Sequence, residues 1–441
     1  MKLSGWAKHP KIDTKLHRPN NINELSSLVS SGDLIARGNG RSYGDSSVSL
    51  GNTIDMRSFN RLISFDENSG RLVAESGVIL GDVIKTFFPK GWFPAVVPGT
   101  KFVTLGGMVA ADVHGKNHHL DGSFGGHIDW LDIVCADGKL RRCSPTSDPE
   151  LFSWTIGGMG LTGIIVRLAF RLQRVSSGWI KQKTMIAKNI SEVMEFFEKY
   201  KSTKYSVAWI DCLQSGRSLG RSVIMLGEHS DKNELQKDQL RNVYPAPAKA
   251  LINISLNCPA IILNRWTARI FNFIYFWKAK LNQANKNIDW NSYFFPLDTI
   301  IINWNRLYGK RGFLQFQCVI PIDRSRDAME RLLIAIAQSN TSPFLAVLKK
   351  LGHQDSHFSF PMHGYTLAVD FPANEKTFNL MKMLELIVLE YGGRFYLAKE
   401  ACMSRHVFEK SDQRIEKFRH YRKKTGVVST FMSAQSSRLG L

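Results

Sequence analysis

Three glycine clusters between residues 36 and 164 limit what this chain can fold into more than any other feature. The first, Ala36 to Asp45 (ARGNGRSYGD), packs three glycines among small polar side chains between a strand-like run and a turn. Such a loop leaves consecutive backbone N–H groups free to cradle a pyrophosphate, and glycine admits an approach that a Cβ would block. It is not the G-x-G-x-x-G fingerprint of a dinucleotide fold, because the run continues to NTIDM and not to a helix pattern. The second cluster, Val97 to His119 (VPGTKFVTLGGMVAADVHGKNHH), places Thr104, Gly106 and Gly107 ahead of a short apolar helix. The third, Thr155 to Ile164 (TIGGMGLTGI), enters the strand IIVRLAF after glycines that can pass close to an adenosine or ribityl chain. Plain turn chemistry accounts for any one of these loops. Three in one domain point to a large phosphate-bearing cofactor.

A chain of 441 residues exceeds one ordinary core and suits two domains. From Ile35 to about Val175, short β-like runs (LIARG, NTIDM, RLVAESG, LDIVCADG) alternate with glycine-rich turns, as in an α+β nucleotide domain spanning residues 1–177. Residues 178–391 read as a helix-covered sheet, with SEVMEFFEKY on a helical period and SVAWIDCL and FLQFQCVIP as strands. Residues 392–441 form a C-terminal segment ending in a helix of mixed charge, EKSDQRIEKFRHYRKK, which either packs back on the first domain or stands solvated.

Fifty-eight Lys and Arg against 38 Asp and Glu leave a net charge of +20, which favours anionic partners. No zinc-finger spacing, RNP-like run or basic heptad accompanies the charge, so nucleic acid is not expected as a partner. The six cysteines lie far apart without a CxxC pair, which argues against a metal site and a disulfide framework and suits a reducing compartment. The N-terminus is charged throughout and lacks an apolar signal core, so a cytoplasmic protein is expected.

Residues 249–288 stand apart, with six Lys or Arg, no Asp or Glu and many large apolar and aromatic side chains. Their longest uncharged stretch, Ala250 to Asn264, falls short of the roughly 20 apolar residues that span a bilayer. Two readings stay open: a segment lying on an anionic membrane, or a buried helical pair with a basic solvent face.

In order and content, the three loops resemble the FAD domain of the vanillyl-alcohol oxidase superfamily, the FAD-binding PCMH-type fold. The runs GRSYGDSS, VPGTKFVTLGGMVAADVHGKNHHLDGSFG, GGMGLTGIIVRLAF, YSVAWID, WNRLYGKRGFLQFQCVIP, VDFP and GGRFYLAKE are similar, more narrowly, to the decaprenylphosphoryl-β-D-ribose 2′-oxidases. The resemblance implies an α+β, two-domain fold with a sheet-plus-helix substrate domain. It also implies an FAD-dependent oxidoreductase that oxidises C2′ of a polyprenyl-phosphoryl-β-D-ribose. That is the first half of an epimerisation to the arabinose donor for cell-envelope glycans, and a separate NAD(P)H-dependent keto-reductase completes it. An enzyme of this kind, with such a basic segment, is expected at the inner face of the cell membrane as a peripheral protein.

By the same resemblance the FAD contacts are Arg37, Gly38, Asn39, Gly40, Arg41, Ser42, Tyr43, Gly99, Thr104, Gly106, Gly107, His114, Gly115, Ile164 and Tyr396. Relatives that tether FAD commonly carry a His where this chain has Arg41, so the cofactor is expected to bind noncovalently. His114 and Lys399 are the implied catalytic residues: the first beside the flavin ring as a proton-steering imidazole, the second as a cation stabilising a developing alkoxide, or as a base. In isolation His114 is a helix-end histidine and Lys399 a surface lysine. Gln317 and Lys349, with Lys399, match the sugar pocket, although core or surface roles fit them as well; Tyr308 and Trp209 fit simple packing equally. His118 and His119 read as loop residues.

One departure is plain: mycobacterial members carry a reactive cysteine just before VDFP, and this chain has Ala368, which cannot be alkylated by inhibitors that act on that thiol. The competing reading is an FAD-dependent oxidase or dehydrogenase of a soluble sugar, alditol or aldonolactone; a basic binding protein with a vestigial flavin fold is the rival from another class.

Overall fold

In the computed structural model, residues 1–247, 251–259, 262–283 and 285–441 are described. The glycine-rich half builds two main sheets besides a two-stranded ribbon, Lys2–Leu3 with Ile12–Asp13. A parallel one runs in the order Lys15–His17, Asn52–Asp55, Leu34–Arg37. An antiparallel one runs Leu140–Cys143, Ile128–Val134, Ile164–Arg174, Arg71–Glu75, Leu62–Asp66, with Trp92–Pro94 added at the far end of Ile164–Arg174. The strand Ile164–Arg174 is central, and its apolar residues Ile164–Val166, Leu168–Phe170 and Leu172 are all buried, as a strand paired on both edges and covered on its faces requires.

Beyond the turn Val175–Gly178 the chain enters an eight-stranded antiparallel sheet. Its order is Asn285–Asp289, Trp179–Ala187, Ser222–His229, Tyr205–Ile210, Ala346–Leu351, Gly364–Pro372, Phe313–Pro321, Arg394–Phe395. Helices Ile190–Lys199, Ser325–Gln338 and Glu375–Glu390 cover one face through a single core that includes Val193, Phe197, Leu332, Leu333, Leu384 and Val388. The other face, carrying Gln317, Val347, Lys349, Thr366 and Ala368, is left to line a cavity against the glycine-rich half.

The C-terminal segment returns to the first half. Phe431 bridges Leu34 in parallel, Leu34 N–H donates to Thr430 O at 2.9 Å and Met432 N–H to Leu34 O at 2.9 Å. The expected single helix is two, Arg405–Ser411 and Ile415–Lys424. Asp412 between them is extended and its carboxylate binds Arg414 at 2.6 Å, which starts a new helix where the old one stops. Arg422 is fully buried and donates to Leu161 O and Phe431 O, so the last helix of this pair is not a solvated one.

Two further expectations change. The helix at the second glycine cluster runs Leu105–Ala110, so Gly106 and Gly107 lie in its first turn and not ahead of it. Among the described residues of 249–288 there is one long helix, Arg265–Leu281, followed by the edge strand Asn285–Asp289, and no helical pair. Of this segment, residues 249, 250, 260, 261 and 284 lie outside the described residues.

Candidate active site

Between the two halves lies a cavity of about 450 Å³. Its floor is the first glycine loop, residues 38–43, flanked by Pro98, Gly99, Thr104, Gly106, Gly107, Gly160 and Gly163 from the other two clusters. Here glycine is required by contact: a Cβ on Gly38 would stand 2.0 Å from Thr104 Oγ1, and one on Gly106 2.8 Å from Ser76 Cβ. The first loop is tied to the turn that follows the strand Arg394–Phe395, where Tyr43 N–H donates to Ala398 O at 2.9 Å. Arg41 lays its guanidinium 3.9 Å above the Trp6 ring, and Asn39 Nδ2 donates to Phe102 O at 2.9 Å.

The lining suits a phosphate-bearing flavin nucleotide. Arg41 Nε, Ser46 Oγ and Ser76 Oγ are buried on the cavity wall without a hydrogen-bond partner among the described residues. Buried polar atoms are rarely left so, and these three are groups that can donate to phosphate and carbonyl oxygens.

Opposite the loops the polar side chains converge. His114 is buried, with Lys349 Nζ 3.2 Å from Nδ1 and the Gln317 amide nitrogen 3.2 Å from Nε2. Burial first, then the charges of Lys349, His118 and Lys399, hold its pKa well below the usual imidazole value, so the ring is neutral at physiological pH. Lys399 Nζ sits 3.5 Å over the Tyr43 ring, a cation held on an aromatic face. Burial pushes its pKa down to about 7; Asp370 pulls the other way and Lys349 adds to the fall. Burial likewise pushes Lys349 to about 8, and Lys116 to about 7 with some help from Lys349. Tyr396 stacks on Phe360 at 4.7 Å and donates its hydroxyl to Ala111 O at 3.0 Å, bracing the wall beside His114.

Most residues expected at the site therefore meet at one cavity: Gly38 to Tyr43, Gly99, Thr104, Gly106, Gly107, His114, Gly115, Gln317, Lys349, Tyr396 and Lys399 all line it, and so does Trp209. Two expected contacts do not. Ile164 turns its side chain into the core with Val134 and Val166, since strand alternation gives the cavity its neighbours Gly163 and Ile165 instead. Arg37 points away beneath the loop and donates to Ser4 O at 2.7 Å, so it shapes the loop from behind. Tyr308 is stacked on Phe313 at 4.4 Å, outside the lining. His118 Nε2 pairs with Gln354 Oε1 at 2.7 Å and His119 Nε2 with Thr203 O at 2.9 Å; both are structural here.

Residues 16–144 match the FAD binding domain family. Across 417 residues, 92% of this chain and 89% of the relative, 33% are identical to the decaprenylphosphoryl-beta-D-ribose oxidase of Mycolicibacterium smegmatis. The chain belongs to the decaprenylphosphoryl-β-D-ribose oxidase family. More distant are an uncharacterized protein of Streptomyces coelicolor, 25% identical over 82% of this chain and 100% of that one, and the L-gulonolactone oxidase of Bos taurus, 26% identical over 47% and 48%. The chain is thus an FAD-dependent oxidoreductase acting on a CH–OH group.

Within this family frame the structure adds residues that sequence reading passed over. Lys116, inside the HGKNHH run, hangs over the Tyr293 ring at 4.1 Å and donates to Tyr293 O. Asp298 accepts from Thr100 Oγ1 at 2.6 Å and from Lys101 N–H at 3.3 Å, tying the second glycine cluster to the substrate side. Asp370, buried behind Lys399, accepts from Gln315 Nε2 and is pushed up to about 7 by burial. The motif spellings HGKN and VDFP were signals for Lys116 and Asp370; Asp298 had none, because its partners are remote in sequence. Ala368 pairs with Gln317 across the sheet and faces the cavity.

Proposed function

We propose that this enzyme removes hydride from C2′ of a polyprenyl-phosphoryl-β-D-ribose to leave the 2′-keto sugar, the first half of an epimerisation to the arabinose donor for cell-envelope glycans. A separate NAD(P)H-dependent keto-reductase completes the inversion. The observation that carries the reading is the charge of the cavity wall. Lys116, Lys349 and Lys399 converge there; among the described residues no carboxylate acts on Lys116 or Lys349, and Lys399 has only the buried Asp370 behind it. Desolvated, unpaired ammonium groups are unfavourable unless an anion arrives. A phosphodiester supplies that anion; a neutral sugar, alditol or aldonolactone does not. Next to the lysines, Val207, Trp209, Met225, Tyr275 and Val347 give an apolar wall for the start of a prenyl chain.

Bound FAD supplies the hydride acceptor. The loops 38–43 and 104–107 hold it, noncovalently: the lining has no cysteine among the described residues, and its one histidine, His114, is engaged at both nitrogens. Loss of hydride from a carbinol carbon leaves its hydroxyl proton to be shed. Lys399 stabilises the developing alkoxide as a cation and, with a pKa near neutrality, is able to take the proton in its neutral form. His114 steers the sugar hydroxyl beside it, held in place by Gln317 and Lys349. Lys349 and Lys116 meet the phosphate. The enzyme works as a peripheral protein at the inner face of the cell membrane, where its lipid substrate resides. Among the described residues no helix is long and apolar enough to cross a membrane.

The test is anaerobic mixing of the flavin-loaded enzyme with detergent-dispersed polyprenyl-phosphoryl ribose, followed by the visible band of oxidised flavin. Bleaching that Lys399→Ala abolishes is expected. A yellow protein that bleaches with free sugars or alditols and not with the phospholipid sugar overturns the reading. Acid precipitation should release all flavin into the supernatant; flavin retained in the pellet refutes noncovalent binding.

A further inference from the structure

The helix Arg265–Leu281 has two apolar faces, and only one of them is covered. Inward, Ala268, Asn272 and Phe276 are buried at a spacing of four. Phe276 packs with Trp209 and Val223, and Asn272 Nδ2 donates to Asp211 Oδ1 at 2.7 Å. Arg221, bound to Asp211 at 2.8 Å, lies 4.5 Å over the Phe276 ring, so the helix is fastened to the sheet by a polar clasp as well as by packing. Outward, Trp266, Ile270, Phe273, Ile274, Trp277 and Leu281 recur at helical spacing as one stripe. They are between 40% and 81% exposed. A soluble surface seldom keeps so many large apolar groups in one row unless something covers them.

The charge around the stripe selects the cover. Arg269, Lys278 and Lys280 are exposed on the helix, and no acidic residue occurs from 249 to 288. A second copy of the chain docked two-fold on this face would bring each cation against its own like. An anionic bilayer offers both what the aromatic stripe and what the lysines need. The inward face adds a second observation: Tyr275 lines the cavity and lies 4.7 Å from Trp209, so one helix is both the outer apolar surface and a wall of the chamber.

We propose that this helix lies in the headgroup plane of an anionic membrane and that its inner face is the wall past which the substrate's prenyl tail reaches the cavity. The sugar is then oxidised while the tail stays in the bilayer. The second half of this statement rests on the polyprenyl-phosphate reading; the membrane contact rests on the helix alone.

The holoenzyme is sedimented with vesicles of phosphatidylcholine, with and without phosphatidylglycerol, and its bleaching by dispersed substrate is measured in parallel. Wild type should sediment with the anionic vesicles only, and less so at high salt. The variant Arg269→Gln/Lys278→Gln/Lys280→Gln should bind about 100-fold more weakly, at about 1 kcal/mol for each lost cation. Trp266→Ser/Phe273→Ser/Trp277→Ser should lose vesicle binding, whereas Lys417→Gln/Lys423→Gln, at exposed positions on the helix Ile415–Lys424, should retain it. All variants should keep their flavin and bleach normally with dispersed substrate, while turnover of vesicle-embedded substrate falls with binding in the helix variants. Helix variants that sediment like wild type, or a wild type indifferent to lipid charge, overturn the proposal even if dispersed substrate bleaches the flavin. Vesicle binding that follows the helix, with no bleaching by dispersed substrate, keeps the membrane contact and removes the oxidation reading.

Discussion

Lys349→Met separates phosphate recognition from sugar oxidation. In the substrate-free enzyme burial has pushed this lysine from its ordinary 10.5 to about 8, a desolvation cost of roughly 3 kcal/mol at 1.36 kcal/mol per unit. An arriving phosphate oxygen recovers part of that cost through a charge-assisted hydrogen bond of about 1.5–3 kcal/mol. Methionine keeps the unbranched stem, one atom shorter, and loses the charge, so KM for the phosphorylated substrate should rise about 10- to 100-fold. The variant also leaves His114 Nδ1 without its neighbour at 3.2 Å, which sets a floor common to every substrate. A polyprenyl riboside lacking the phosphate, assayed by the same anaerobic bleaching, measures that floor and should change by no more than about 3-fold. Equal losses on the two substrates would refute the assignment and make Lys349 a support for His114 and nothing more.

Gly38→Ala should deplete the purified protein of FAD, because the new Cβ falls 2.0 Å from Thr104 Oγ1, and Gly38→Ala/Thr104→Ala should regain part of the flavin; absorbance of the purified proteins decides. Lys399→Met should keep its flavin and slow anaerobic bleaching about 100-fold or more, as loss of a group aimed at developing charge does; bleaching at the wild-type rate refutes its role. Folded-state pKa values of about 7, 8 and 7 at Lys116, Lys349 and Lys399 lie below the ordinary 10.5. The unfolded chain therefore holds protons that the folded one has lost, and these lysines make stability rise with pH from about 7 to 10.5. Their destabilisation is complete below the folded values and gone above the unfolded one. Thermal melting across this window should show less of that rise in Lys349→Met, and an unchanged pH dependence refutes the depressed pKa.

The glycine clusters were legible in the sequence because they answer a local demand: backbone must pass within contact distance of a large ligand, and only glycine permits it, as Gly38 against Thr104 shows. His114 and Lys399 stood out for a related reason, since both sit in runs whose spelling is specific. Strand-like runs such as FLQFQCVIP became strands, because alternation and β-branching act over a few residues. The fault at Asp412, which divides one expected helix into two, depends on Arg394 and Arg414 approaching the same carboxylate.

What the sequence determined by itself was therefore a flavin-binding half with conspicuous loops, a basic aromatic segment and a short set of chemically apt side chains. Tertiary structure alone decided that Ile164 faces the core, that Arg37 braces its loop from behind, and that Lys116 joins Lys349 and Lys399. It also decided that one helix carries two apolar faces with different neighbours. Periodicity states which residues share a face. What lies across from that face, and so whether a charge is solvated or stranded, depends on chain segments hundreds of positions away.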